Sequence, residues 1–191
     1  MGRAYTDEER KALRKKIKEI AADMFGAYGF KAFRIQMLTE KAGISLGGFY
    51  NFYKDKESLY NEILRDEKNK IRSAIAETIE KKNISPQDFF KDWADGFLRK
   101  TATNKLYAGD NAGLLEVLVW NEDPAAARDN ADFIKRIREI WKKKNMNISL
   151  TDEQIGAAIA AIAVLCANRQ KIGNGFDFWF PLFEALFIKQ I

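Results

Sequence analysis

Apolar residues along the chain recur mostly at helical spacing. In the first segment Leu13, Ile17, Ile20, Ala21, Met24, Phe25 and Tyr28 fall on one stripe, the signature of an amphipathic helix. "TDEER" supplies its start: Thr6 with Glu9 three residues on forms a capping-box pattern, with Tyr5 placed as a hydrophobic staple. Gly29 ends it. "RIQMLTEKA" predicts a short second helix with Ile35, Leu38 and Ala42 inward. Gly43 suits a turn position that needs positive φ, and Ser45 is placed to cap a third short helix from Leu46. Asp55 caps a fourth, which runs to about Lys82 with Leu59, Ile63, Ile71, Ile75 and Ile79 on its inner side.

Beyond it the same periodicity continues. "SPQDFFKDWADGFLRKTA" has Ser85 as cap, Pro86 at the first helical position and Phe89, Phe90, Trp93 and Phe97 as a broad apolar face. "GLLEVLVW" reads as a short buried helix. "PAAARDNADFIKRIREIWKKK" puts Phe133, Ile137, Ile140 and Trp141 on one side. "SLTDEQIGAAIAAIAVLCANRQKIG" opens on a Thr151 cap and carries a seam of small residues. "FDFWFPLFEALFIKQI" closes the chain with large aromatics. The pattern predicts an all-α protein of about nine helices.

Composition narrows the chemistry. Histidine is absent and Cys166 is the single cysteine, which removes the commonest general base, any disulfide within the chain and any multi-cysteine zinc site. No catalytic constellation, metal set or cofactor motif stands out. The longest apolar run, Ala157 to Ala167, is about half the ~20 residues of a membrane-spanning helix. The first residues, "MGRAYTDEERKALRKK", contain no apolar signal region, so a cytoplasmic protein is expected. Charge is uneven: residues 1–65 hold 13 Lys and Arg against 9 Asp and Glu, and the remainder 19 against 18. A basic segment beside a nearly neutral body suits a polyanion partner.

The second and third helices, joined by a short glycine turn, form a helix-turn-helix. In such a unit the second helix enters the DNA major groove. "ISLGGFYNFYKDK" fits that role: Gly47 and Gly48 allow close backbone approach, the Tyr50 hydroxyl can meet a phosphate, and Lys54 and Lys56 can neutralise others. Phe49 and Tyr53 are expected to pack inward. Gln36, Leu46 and Gly48 are candidates to face base edges.

These residues resemble the DNA-binding domain of the TetR family of transcriptional regulators. The family pattern Gly-Val-Ser-x-Gly-x-Leu-Tyr-x-His-Phe-x-x-Lys-x-x-Leu is matched by Gly43, Ile44, Ser45, Gly47, Phe49, Tyr50, Tyr53, Lys56 and Leu59, and the first helix matches through Ala21, Met24, Phe25, Gly29 and Phe30. Phe52 stands where the family often has His, Thr39 where it usually has Ala, and Ile35 where Thr is common. The resemblance covers about residues 10–65. It implies a DNA-binding domain over 1–55 and a helical effector-binding and dimerisation domain over 56–191. It also implies a homodimeric repressor, with no enzymatic activity and no cofactor, released from a near-palindromic operator in double-stranded DNA by a small effector, expected to be mostly apolar because few charges are interleaved with Trp93, Phe97, Trp120 and Trp141.

The expected DNA contacts are Arg34, Gln36, Ser45, Leu46, Gly47, Gly48, Tyr50, Asn51, Phe52, Lys54 and Lys56. The expected effector site is Trp93, Phe97, Glu116, Trp120, Phe133, Ile137, Trp141 and Arg169, with Glu116 and Arg169 as polar anchors. The expected dimer interface, on the last two helices, is Gly156, Ala160, Ala161, Val164, Phe176, Phe180, Phe183 and Phe187. Two alternatives stay open on the residues alone: a helical enzyme or carrier using the aromatic positions, and a DNA-binding protein with no ligand.

Overall fold

The computed structural model describes residues 5–91, 124–167 and 172–188. Its helical elements are α1 (Asp7–Ala32), α2 (Ile35–Ala42), α3 (Leu46–Tyr50), α4 (Lys56–Lys82), α5 (residues 86–91), α6 (Pro124–Lys143), α7 (Asp152–Ala167) and α8 (Gly175–Ile188). No strand occurs among the described residues, and the fold is all-α as the periodicity predicts. Among the same residues no helix is long and apolar enough to cross a membrane. Packing divides the chain into two units, and the division falls inside α4, between Glu67 and Lys68.

In the N-terminal unit the local signals act as expected. Thr6 Oγ1 accepts from the Glu9 N–H at 3.2 Å, and the Thr6 N–H donates back to Glu9 Oε2 at 2.8 Å. The staple does not form: Tyr5 is exposed, because the position it would meet, four residues past the cap, holds Arg10 and not an apolar side chain. Gly29 adopts φ +75° and interrupts α1, and the Phe33 N–H closes the turn on the Gly29 carbonyl at 3.2 Å. Ile17, Ala21, Met24 and Phe25 are buried, whereas Tyr28, one position before the break, is exposed. Around Phe25 lie the rings of Phe33, at 4.0 Å between centroids, and Tyr60, at 4.7 Å.

A second tie between α1 and α4 is ionic. Arg14 grips Glu62 with Nε at 3.1 Å and Nη2 at 2.5 Å, and Lys18 bonds both Glu62, at 3.2 Å, and Asp66. Burial works to raise the Glu62 carboxyl, but the hydrogen bonds from Arg14 and Lys18 outweigh it and hold the group below the usual carboxylate range. Asp55 caps α4 by accepting the Ser58 N–H at 2.7 Å, and that bond is the main cause of its lowered pKa.

The C-terminal unit packs α6 and α7 against each other, with the later part of α4, α5 and α8 adding to the core. Ala76, Ile79, Phe89, Phe90, Ile134, Ile137, Trp141, Ile155, Ile162 and Phe176 are all buried in it. Polar links secure the helix ends: Ser85 caps α5 through the Asp88 N–H at 3.1 Å, Thr151 caps α7 through Gln154 at 3.2 Å, and Arg138 joins Asp152 at 2.5 Å. The segment "GLLEVLVW" lies outside the described residues.

Candidate nucleic-acid interface

The helix-turn-helix is built from short-range chemistry. The buried face of α2 is Leu38, Thr39 and Ala42; the Thr39 hydroxyl is satisfied by donating to the Gln36 carbonyl at 2.9 Å. Gly43 sits at φ +70° and ψ +36°, the left-handed conformation that terminates the helix, and the Ile44 N–H returns to the Thr39 carbonyl at 3.0 Å. Ser45 Oγ then accepts the Gly48 N–H at 3.0 Å and starts α3. Phe49 is fully buried and Tyr53 nearly so, so both pack inward as expected. The Tyr53 ring lies under the Arg14 guanidinium at 4.8 Å, and among the described residues its buried hydroxyl has no hydrogen-bond partner. Burial raises the Tyr53 phenol pKa.

The outward face of the motif is uncharged at its centre. Gln36, Leu46 (42% exposed), Gly47, Tyr50 (52% exposed) and Asn51 all face solvent. Met37, beside Gln36, is exposed too. It was not among the expected contacts, and its place off the inward stripe of Ile35, Leu38 and Ala42 was the available signal. The two glycines differ. A Cβ on Gly48 would lie 3.2 Å from Ser45 Oγ and press on the cap, whereas among the described residues a Cβ on Gly47 would meet nothing within 4 Å.

Not every expected contact has its polar atoms free. The Lys56 ammonium donates to the Phe30 carbonyl at 3.1 Å and rests over the Phe30 ring at 4.4 Å. The Arg34 guanidinium turns back on the carbonyls of Lys31, at 2.6 Å, and Phe33, at 3.1 Å. The Asn51 carbonyl accepts from Arg10 Nη2 at 3.1 Å, and Phe52 is half-buried beneath the same guanidinium. Lys54 is exposed.

In the C-terminal unit, Phe133, Ile137 and Trp141 belong to the packed core; Trp141 is 0% exposed, and its indole N–H donates to the Ile84 carbonyl at 3.0 Å. Trp93, Phe97, Glu116, Trp120 and Arg169 lie outside the described residues. Of the residues expected at a dimer seam, Ala160, Ala161 and Val164 are half-buried on α7. Gly156 faces inward instead: a Cβ there would sit 3.1 Å from Ile134 Cδ1 on α6. Phe176 is also a core residue, with Phe180 stacked on it at 4.8 Å. The exposed apolar side of α8 is Phe178, at 65%, and Leu182, at 46%, one turn apart. The backbone of α8 is described at Phe183 and Phe187, but their side chains lie outside the described residues.

A family model for bacterial regulatory proteins of the tetR family matches residues 17–63, the stretch from mid-α1 into α4. The HTH-type transcriptional repressor KstR2 of Mycolicibacterium smegmatis is 34% identical over 61 residues, 32% of this chain and 30% of that protein. The uncharacterized HTH-type transcriptional regulator YdgC of Bacillus subtilis is 24% identical over 78 residues, 41% and 40% of the two chains. The matches therefore span less than half the length of either relative. The solved structure of a TetR-family transcriptional regulator from Pectobacterium atrosepticum has the same fold, with a TM-score of 0.63 at 15% identity over 96% of this chain and 94% of that one. With the Gly43 turn and the Ser45-capped α3 lying inside the matched segment, residues 17–63 carry a helix-turn-helix domain similar to that of the tetR family of bacterial regulatory proteins.

Proposed function

We propose that the protein is a cytoplasmic, homodimeric transcriptional repressor that binds a near-palindromic operator through α2 and α3 and releases it when a small, mostly apolar effector binds. The observation that carries the DNA-binding reading is Gly47. Glycine inside a helix is unfavourable by roughly 1 kcal/mol against alanine, and nothing among the described residues crowds the space a Cβ would fill. The missing side chain serves an approach from outside, flanked by Leu46, Tyr50 and Gln36. A glutamine side chain can pair with adenine, and apolar atoms with a thymine methyl. The test is fluorescence anisotropy with duplexes from the DNA flanking the gene, against random duplex at equal salt. A site held more tightly than random DNA by about a thousandfold or more is expected, the range of specific binders; equal affinity for both would sink the reading.

Dimerisation is supported by Phe178 and Leu182, large apolar side chains exposed on α8, and by the half-buried Ala160, Ala161 and Val164 on α7, since exposed apolar surface marks interfaces. A two-fold dimer would set two α3 helices about 34–36 Å apart, one turn of the duplex. For the response, α4 contributes residues to both units and is one uninterrupted helix of 27 residues. An effector that favours one placement of α4 changes the spacing of the two α3 helices, and linkage requires operator DNA to lower effector affinity by the same factor. Tryptophan fluorescence titrations of the free protein and the operator complex check this; equal effector affinities would exclude the coupling.

A further inference from the structure

We propose that Arg10, in the first turn of α1, is a positioning residue that fixes the C-terminal end of α3 in the orientation it offers to DNA. The proposal rests on the DNA-binding reading above. α3 has five residues, Leu46–Tyr50, two of them glycine. So short a helix does not sustain itself, and its ends must be held by other groups. Ser45 holds the N-terminal end. At the other end the Phe49 carbonyl accepts from the N–H groups of Phe52, at 2.9 Å, and Tyr53, at 3.1 Å. The next outward carbonyl, Asn51, receives Arg10 Nη2 at 3.1 Å across 41 positions of sequence. The same guanidinium lies 5.4 Å from the Phe52 ring centre.

One planar cation thus meets two consecutive residues, by a hydrogen bond and by a ring face, a combination that suits guanidinium better than ammonium. A cation at a helix C-terminus also opposes the negative end of the peptide dipoles. Arg10 is itself held in place: its N–H donates to the Thr6 carbonyl at 2.8 Å, inside the capping box that starts α1. Arg10 is exposed, so direct binding to a DNA phosphate is the competing role, and the two make different predictions.

Arg10→Ala, Arg10→Lys, Phe52→Ala and the Arg10→Ala/Phe52→Ala double variant are compared in two measurements. Amide exchange in the free protein should quicken at Phe52 and Tyr53 by about fivefold in Arg10→Ala, with little recovery in Arg10→Lys, the scale expected for losing one exposed hydrogen bond and one cation–ring contact. Operator affinity over a salt series should fall about fivefold on the preferred site, with an unchanged slope of log K against log salt, because no phosphate partner is removed. The two single losses should not add in the double variant. If Arg10→Ala lowers the salt slope by about 1 and weakens all DNA alike while Arg10→Lys restores both, Arg10 is a phosphate contact and the proposal is overturned. Unchanged exchange overturns it as well. A wild-type protein with no preferred DNA site would sink the DNA-binding reading, while the exchange measurement still decides whether Arg10 holds α3. Should Arg10→Ala not fold, Arg10→Lys carries the same exchange comparison.

Discussion

The N-terminal unit joins α1 to α4 through the rings of Phe25, Phe33 and Tyr60, through the Arg14, Lys18, Glu62 and Asp66 network, and through Lys56 on Phe30. The C-terminal unit relies on aliphatic and aromatic packing at its centre, and its polar links stand mainly at helix ends. Its one strongly perturbed cation among the described residues, Lys68, is pushed down to about 8 by burial and then by Arg72. The two units also leave different surfaces. The first exposes a short helix with two glycines and a polar and apolar mixture; the second exposes Phe178 and Leu182 on α8 and leaves Ala160 and Ala161 of α7 half-buried. A surface with room for backbone approach suits a grooved polyanion, whereas a smooth apolar one suits another apolar surface.

The sharpest break in this comparison lies within α3 itself. Phe49→Ala should destabilise the N-terminal unit by about 3–5 kcal/mol, the usual loss for a buried aromatic. Its neighbour Tyr50→Ala should change stability by no more than about 0.5 kcal/mol yet weaken DNA binding. Urea denaturation beside anisotropy separates the two; equal stability losses would mean that Tyr50 also serves the core.

Next in size is the apolar surface of the second unit. Ala161→Glu or Leu182→Glu leaves the carboxylate near water in one protomer but buries it in the proposed dimer, where an unpaired charge is strongly unfavourable. Sedimentation should show monomers with near-native helix content and lost operator affinity. A dimer that persists in both variants puts the interface elsewhere.

The ionic contrast gives a pH prediction of about 1 kcal/mol, the scale of a partly exposed ion pair. Glu62 is lowered in the folded chain, so its stabilisation is full above the ordinary carboxylate pKa of about 4.3 and is lost as pH falls through the lowered value. Glu62→Gln should remove that acid-side dependence. Lys68 behaves oppositely: with the folded pKa below the unfolded one, stability should rise between about 8 and 10.4, and Lys68→Met should flatten that rise. Urea midpoints from pH 2.5 to 10.5 test both, and curves that the variants leave unchanged would remove these groups from the account.

The smallest effect separates two lysines that look alike in sequence. Lys54→Ala should reduce the salt slope by about 1 per half-site with little change in stability. Lys56→Ala should mainly lower stability, by about 0.5–1 kcal/mol, because its ammonium already holds the Phe30 carbonyl and ring. If Lys56→Ala shows the larger change in salt slope, the ammonium leaves Phe30 for phosphate in the complex.

The helix starts at Thr6, Ser45, Asp55, Ser85 and Thr151, the break at Gly29 and the turn at Gly43 were legible in the chain by itself. Each depends on atoms within a few residues, so side-chain type and spacing suffice. The inward faces of α1 to α4 were legible for the same reason, polar residues between the apolar ones marking which side is out, except at Tyr28 beside the Gly29 break, which is exposed, and at Thr39, which is buried. That signal fails in α7 and α8, where both sides are apolar. There only packing decides that Gly156 meets Ile134, that Phe176 is core, and that Phe178 and Leu182 face outward. Long side chains escape sequence reasoning as well. Lys56 reaches Phe30 and Arg10 reaches Asn51 across 26 and 41 positions, and a flexible chain takes whichever carbonyl or ring the fold brings within its reach.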